Sequence, residues 1–344
     1  MVKNIDLLVS VPADRGWTPI WQMVDLLHQY AGGKLIRIEP QLSQRKRTKI
    51  LSVIPRYRRK NNRACIVIAS DPGIANSALR YFDIYYRYEK VYLWVIDSFW
   101  SERIPRVLKK NKIFDKCFVM DSGDISDWKR QVETPLGVLP WGADVLKINP
   151  ENLSNKDIDV VRVGRQPEAW SDNQINQKYF TQKSLIYLGS PHIPGGNFKL
   201  EEHLERTLAR SKFLLAFNNL SSPAAYTHPT RSYLTSRWVK GISYGAVMLG
   251  TIPTSKTALE LLPRWVHVEI SPTSPKDAAE GIMQASEQWD PRLPYALHAY
   301  ACSVFDWRHR FAEIFSDLGF EAPNLEQDIK TLEERSKKLG VDSD

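Results

Sequence analysis

The chain has 344 residues, 43% hydrophobic and 25% charged, with 17 Gly and 21 Pro spread along its length. Those proportions describe a globular protein of about two domains and exclude both a staple-dependent miniature scaffold and a disordered chain. The 3 cysteines, Cys65, Cys117 and Cys302, stand far apart, which excludes a disulfide framework or zinc knuckle and predicts a reduced, cytoplasmic protein. No run reaches the ~18 apolar residues of a membrane-spanning helix, and the apolar residues 5–11, interrupted by Asp6, read as a first strand and not as a signal peptide.

The formal net charge of +8 is local. Nine basic and no acidic residues fall within residues 45–63, and the rest of the chain is close to neutral. A nucleic-acid-binding protein spreads its basic footprint more widely and carries a reading module, so this pattern disfavours that class.

In chain order, short β-branched or aromatic runs at residues 5–12, 34–39, 64–70, 90–96, 116–120 and 137–140 are mostly continuous and not alternating. Continuous runs are expected of strands buried on both faces of a parallel sheet. Several end in small or acidic residues, as in Asp14 and Gly16, Asp71, and Asp97. Ligands bind at that carboxyl edge of an open α/β sheet. Residues 147–159 then turn polar and read as a linker. Strand runs resume at 160–163, 184–189, 213–217, 246–249 and 266–270, with helical stretches at 199–210, 233–244, 256–262 and 275–288. Two βα series divided by a linker predict an α/β protein of two Rossmann-like, doubly wound domains facing a cleft. Residues 305–318 carry Trp307, Phe311, Ile314, Phe315 and Leu318 at helical spacing, and 324–339 form a second, charged helix. These C-terminal helices are expected to return to the first domain.

Gly-rich dinucleotide, Walker, Gly-x-Ser-x-Gly and His-Glu-x-x-His motifs are all lacking, and the seven histidines are scattered. The most informative stretch is residues 231–253. Wound as a helix, Leu234, Trp238, Val239 and Ile242 share one arc, while Tyr233, Arg237, Lys240 and Tyr244 share the other. Two cations one turn apart, followed by Gly245 and a buried strand, suit a diphosphate; the alternative is an ordinary solvated face.

This stretch resembles the Arg-x-Phe-Glu-Ala-x-Ala-x-Gly segment of group 1 glycosyltransferases of the two-domain GT-B fold, especially those similar to the spore-maturation CgeB group. Arg237, Val239, Ser243 and Gly245 fall at the matching places. Residues 113–121 followed by Val138-Leu139-Pro140-Trp141-Gly142-Ala143-Asp144 resemble the family's passage into its interdomain Leu-Pro-x-Gly-x-Asp signature. Arg162-Val163-Gly164-Arg165 resembles the turn that opens its second domain. Together the matches span roughly residues 91–318.

The resemblance implies an acceptor-binding domain over residues 1–146, a nucleotide-sugar-binding domain over 159–318 and a C-terminal helix and tail over 319–344. It implies a glycosyltransferase of hexosyltransferase type, of either stereochemistry, taking a nucleotide sugar as co-substrate with no obligatory metal or other cofactor. Arg165 and Arg237 would hold the donor diphosphate, with Gly16, Lys240, Tyr244 and Gly245 as further donor-binding candidates. Lys240 stands where the family has an acidic residue that holds the donor ribose, and a cation cannot accept those hydrogen bonds. A catalytically silent GT-B protein that binds nucleotide or glycan is therefore the alternative. An inverting enzyme needs a general base, for which Asp97, Asp71 and Asp14 are the candidates; an Asp after a strand also serves as a turn or cap residue. The basic stretch, with Arg56, Arg58, Arg59 and Lys60, has two readings. It engages a glycan, lipid-linked or phosphorylated acceptor or an anionic membrane surface, or it is a solvated loop.

Overall fold

The computed structural model describes residues 2–40, 61–78, 87–110, 114–190 and 197–340. Arg56, Arg58, Arg59 and Lys60 lie outside the described residues. The chain divides into two compact units, Met1–Pro140 with Arg308–Gln327, and Trp141–Trp307 with Asp328–Asp344.

The first unit holds a six-stranded sheet made of β1 (Asn4–Ser10), β2 (Gly32–Arg37), β3 (Arg63–Ala69), β4 (Lys90–Val95), β5 (Lys116–Val119) and β6 (Leu136–Val138). The strand order is β2-β1-β3-β4-β5-β6 and every pairing is parallel. After their first residue, β1, β3 and β4 are buried throughout, which is why they are continuous apolar runs in the sequence. Its helices begin with α1 (Thr18–Ala31), α2 (Ala75–Ala78), α3 (Arg106–Lys110) and α4 (Ile125–Lys129). A glycine pair lets α1 turn straight into β2. Gly32 adopts φ 66, and a Cβ on Gly33 would lie 2.2 Å from the Ile5 carbonyl oxygen. The charged interruption of β1 is also accounted for. Asp6 accepts hydrogen bonds from Arg63 Nη2 (2.7 Å), Tyr88 Oη (2.5 Å) and the Lys34 backbone N–H (2.8 Å), so the buried carboxylate is fully engaged.

The second unit holds β7 (Ile158–Arg162), β8 (Tyr187–Leu188), β9 (Ser211–Leu215), β10 (Val247–Gly250) and β11 (His267–Glu269), in the order β11-β10-β9-β7-β8, again all parallel. Its helices are α5 (Asn173–Thr181), α6 (Asn197–Ala209), α7 (Ser236–Ser243), α8 (Lys256–Leu261), α9 (Pro275–Glu287) and α10 (Leu293–Val304). The strand order reverses between β1 and β3 in one sheet and between β7 and β9 in the other. Such switch points open a crevice at the carboxyl ends of the strands. Two parallel α/β units of this kind match the fold class expected from the sequence.

The partition falls at 140/141, ahead of the polar stretch 147–159. That stretch packs into the second unit, where a 3₁₀ turn (Pro150–Leu153) buries Leu153. The last helices are α11 (Trp307–Leu318) and α12 (Pro323–Gly340). Residues 308–327 belong with the first unit and not with 159–307. There Phe311, Ile314, Phe315 and Leu318 are buried, Arg308 Nε donates to Tyr30 Oη (2.8 Å), and Lys116 pairs with Asp317 (3.1 Å).

The helix expected from residue 305 starts at Trp307, and α10 precedes it. Asp306 separates the two. Its buried carboxylate accepts the backbone N–H groups of Val145 (2.8 Å) and Leu146 (3.2 Å), while Ala143 N–H donates to the Phe305 carbonyl and Trp307 N–H to the Ala143 carbonyl. A one-residue parallel bridge thus replaces the helical bonds at this point. Replacing Asp306 by Ala strands two backbone donors, one of them fully buried. It is expected to destabilise the protein by about 1–3 kcal/mol, read as a lower midpoint in urea unfolding.

Candidate functional site

At the switch point of the second sheet, the turn after β7 and the loop after β9 meet the start of α7. Gly164 adopts φ +69, and a Cβ there would lie 2.8 Å from Nη2 of Arg237. Only glycine combines that backbone conformation with room for the guanidinium. Arg237 Nη1 donates to the Arg165 carbonyl (3.0 Å), and Arg165 Nε donates to Ser222 Oγ (3.1 Å). The Arg165 guanidinium carbon lies 5.0 Å from the centroid of the Tyr226 ring. Arg162, at the end of β7, donates to the Ser171 carbonyl and to Asn173 Oδ1, both at 2.7 Å, and its Nε is buried without a partner among the described residues.

Burial, Arg165 and Arg162 pull Arg237 down to about 10, partly offset by Tyr226, so it remains a cation at neutral pH. Among the described residues, no carboxylate forms an ion pair with Arg162, Arg165 or Arg237. Arg237 also sits in the first turn of α7, which has no acidic residue there and no side-chain cap from Thr235. A cation at the positive end of a helix is electrostatically unfavourable on its own, so this corner is suited to an anion.

The other donor candidates on α7 form a separate group. Lys240 pairs with Glu201 and lies 3.9 Å from Glu205, both on α6. Lys147 pairs with Glu205 at 3.2 Å. Burial, with Lys147 adding to it, pushes Lys240 down to about 8. The Tyr244 hydroxyl, raised well above the usual phenol range chiefly by burial, also bonds Glu205. Gly245, at φ +70, ends α7. Its N–H bonds the Ile242 carbonyl and the Ala246 N–H bonds the Gly241 carbonyl, the two bonds of a Schellman motif. A Cβ on Gly245 would lie 2.7 Å from the Pro294 carbonyl oxygen. Its position is therefore set by the helix end.

In the first unit, Asp71 and Asp97 follow adjacent strands, β3 and β4. Asp71 Oδ1 accepts the N–H groups of Gly73 (2.7 Å) and Ile74 (3.2 Å), and its other oxygen lies 3.7 Å from Arg103. Arg103 in turn lies over the Trp100 ring, 3.5 Å from its centroid. Asp97 is pushed up to about 7, first by burial and second by the Asp71 carboxylate, against the opposing pull of Arg103. Asp14 is exposed on the loop after β1 and turns back on that loop, accepting the Gly16 N–H at 2.9 Å. The fold thus brings Asp71 and Asp97 together, while Asp14 and Gly16 bond one another.

Ser222 and Tyr226 were not legible as site residues, because they come from a loop that only the fold brings to Arg165. Among the described residues no three His, Cys, Asp or Glu side chains converge as a metal site would require. No helix among them is long and apolar enough to cross a membrane. A hollow of about 420 Å³ lined by Tyr179, Gln182, Lys183, Lys276, Asp277 and Glu280 shares no residue with the arginine cluster.

No family model matches the chain, and no curated protein matches it. Among solved structures, the crystal structure of TarM is similar in shape, with a TM-score of 0.47 and 9% sequence identity over 75% of this chain and 54% of that one. This chain therefore spans about half the length of that protein.

The raised Asp97 carboxyl gives a pH-dependent stability with a definite sign. Below the ordinary carboxylate pKa of ~4 the group is protonated whether folded or unfolded. Between there and about 7 the folded protein holds its proton more tightly, so stability falls as pH rises through that window. Asp97→Asn is expected to remove this slope and to be the more stable form at pH 8, by about 1–3 kcal/mol after allowance for solvent screening. Urea unfolding of both proteins from pH 4 to 8 measures it.

Proposed function

We propose that the protein is a glycosyltransferase that takes a hexose from a nucleoside-diphosphate donor and passes it to a glycan, lipid-linked or phosphorylated acceptor. The observation that carries this reading is the cluster of Arg162, Arg165 and Arg237 at a sheet switch point, without a carboxylate to balance it among the described residues. A diphosphate supplies the missing negative charge and accepts the guanidinium hydrogen bonds. The motif resemblance at Arg165 and Arg237 supports the same assignment.

In this reading the second unit binds the donor and the first binds the acceptor. Transfer breaks the bond between the sugar carbon and the diphosphate oxygen, and charge builds on the departing diphosphate. Arg165 and Arg237 stabilise that charge in place, so no metal is required. Asp97 is the proposed general base, since a pKa near 7 suits proton transfer at neutral pH. Burial, with repulsion from Asp71 behind it, holds that pKa up. The basic stretch with Arg56, Arg58, Arg59 and Lys60 is assigned to acceptor or peripheral membrane contact, with the protein acting in the cytoplasm.

A catalytically silent nucleotide-binding protein is the second reading. It is favoured by Lys240, which pairs with Glu201 at the position where the resembled family has a ribose-binding acid. A panel of nucleotide sugars with candidate acceptors, scored for release of nucleoside diphosphate, separates the two. Release above the no-enzyme rate in the presence of EDTA is expected for the enzyme, with a rate that rises through about pH 7 and loses that limb in Asp97→Asn. Arg165→Ala and Arg237→Ala are each expected to weaken nucleoside-diphosphate binding by about 1–3 kcal/mol, the usual loss for a charge-assisted hydrogen bond. Unchanged calorimetric affinity in both variants refutes the donor assignment.

A further inference from the structure

The loop joining β9 to α7 is held by buried polar side chains. Asn219, Ser222, Thr227 and His228 are each more than nine-tenths buried. Asn219 Nδ2 donates to the carbonyls of His228 (3.3 Å) and Arg231 (2.7 Å), and its Oδ1 accepts the Tyr233 N–H (3.3 Å). His228 Nδ1 accepts the N–H groups of Thr230 (3.2 Å) and Arg231 (3.1 Å). Thr227 closes a tight turn on Ala224, its N–H donating to the Ala224 carbonyl and its Oγ1 accepting the Ala224 N–H at 3.0 Å. Within that turn stands Tyr226, 70% exposed, the most exposed of the large hydrophobic side chains among the described residues.

A well-anchored loop that leaves a tyrosine ring in water forgoes the burial that such a ring normally supplies. The ring is not loose, because it packs on the Arg165 guanidinium. Arg165 is itself fixed by Ser222 and by Arg237. The arrangement is a flat aromatic surface held beside two cations at the switch point of a parallel sheet. A ligand that matches it carries a planar ring and an anionic group a short distance apart.

We infer that Tyr226 is the stacking platform for the base of a nucleotide whose diphosphate lies on Arg165 and Arg237. This rests on the donor-binding reading above and adds the part of the ligand that it left unspecified. Stacking uses the face of a base and not its hydrogen-bonding edge. The platform therefore accepts both purine and pyrimidine diphosphates and gains more from the larger ring.

Calorimetry on the 344-residue chain with GDP, UDP and inorganic pyrophosphate tests this. The proteins compared are the unmodified chain, Tyr226→Phe, Tyr226→Leu and Arg237→Ala. Tyr226→Leu keeps apolar bulk over Arg165 while removing the aromatic face. It is expected to weaken GDP and UDP binding by about tenfold, GDP the more, and to leave pyrophosphate within about twofold. Tyr226→Phe is expected to stay within about twofold of the unmodified chain for all three ligands. If Tyr226→Leu binds the nucleotides normally while Arg237→Ala loses all three ligands, the platform is refuted and the diphosphate site stands. An equal loss of pyrophosphate and nucleotides in Tyr226→Leu also overturns the platform, since Tyr226 would then act only by positioning Arg165. If the unmodified chain binds none of the three, the donor-binding reading and the platform fall together.

Discussion

A parallel sheet packed on both faces confines chemistry to the ends of its strands, and both units of this protein are organised by that constraint. Most buried positions in their strands are apolar, and the buried carboxylate of β7, Asp159, is paired with Lys212 of β9. The one carboxylate inside β1, Asp6, is tied up by Arg63, Tyr88 and a backbone N–H. Polar groups with unsatisfied electrostatics collect at the carboxyl edges instead. In the second unit these are three arginines around Gly164, and in the first they are the crowded carboxyls of Asp71 and Asp97. Neither group is explained by stability. Clustered cations repel one another, and a carboxyl shifted to about 7 weakens the fold at the pH where it is ionised.

The helix α7 links core and site within the second unit. Its apolar arc, Trp238, Val239 and Ile242, is buried, and so is Leu234, which the sequence pattern put on the same arc but which precedes the helix start at Ser236. Its far end is locked by the left-handed Gly245 and by two side chains bonded to its last carbonyls. Lys156 donates to the Tyr244 carbonyl (2.7 Å), and the ring of His298 is bonded to the Ser243 carbonyl (2.7 Å). With that end fixed, Arg237 at the near end is held over Gly164. The precision of the arginine cluster is thus inherited from packing and capping one or two turns away.

Most strands were legible in the sequence, because continuous β-branched runs of 4–8 residues bounded by small or polar residues have few other solutions in a chain of this composition. The buried arc of α7 was legible for the same kind of reason. Other features depend on contacts distant in sequence. Residues 305–306 look helical until Asp306 is seen to bond Val145 and Leu146, some 160 positions upstream. Lys240 reads as a phosphate ligand until Glu201 and Glu205 appear beside it. Arg165 and Arg237 carried a motif signal, while Ser222 and Tyr226 carried none, since a polar loop has no periodicity from which its spatial neighbours can be inferred.

The return of residues 308–327 to the first unit bears on how the protein is made. During synthesis the first 140 residues emerge with their sheet but without the apolar stripe of α11 that completes their core. Phe311, Ile314, Phe315 and Leu318 are translated only after the whole of β7 to α10. The second unit waits in the same way for Asp328–Asp344, whose Leu332 is buried in its core, so each unit presents apolar surface to its surroundings until its own C-terminal piece has been made. A nascent chain arrested near residue 300 would lack the closing pieces of both units, so neither is finished until the last two helices, α11 and α12, have been made.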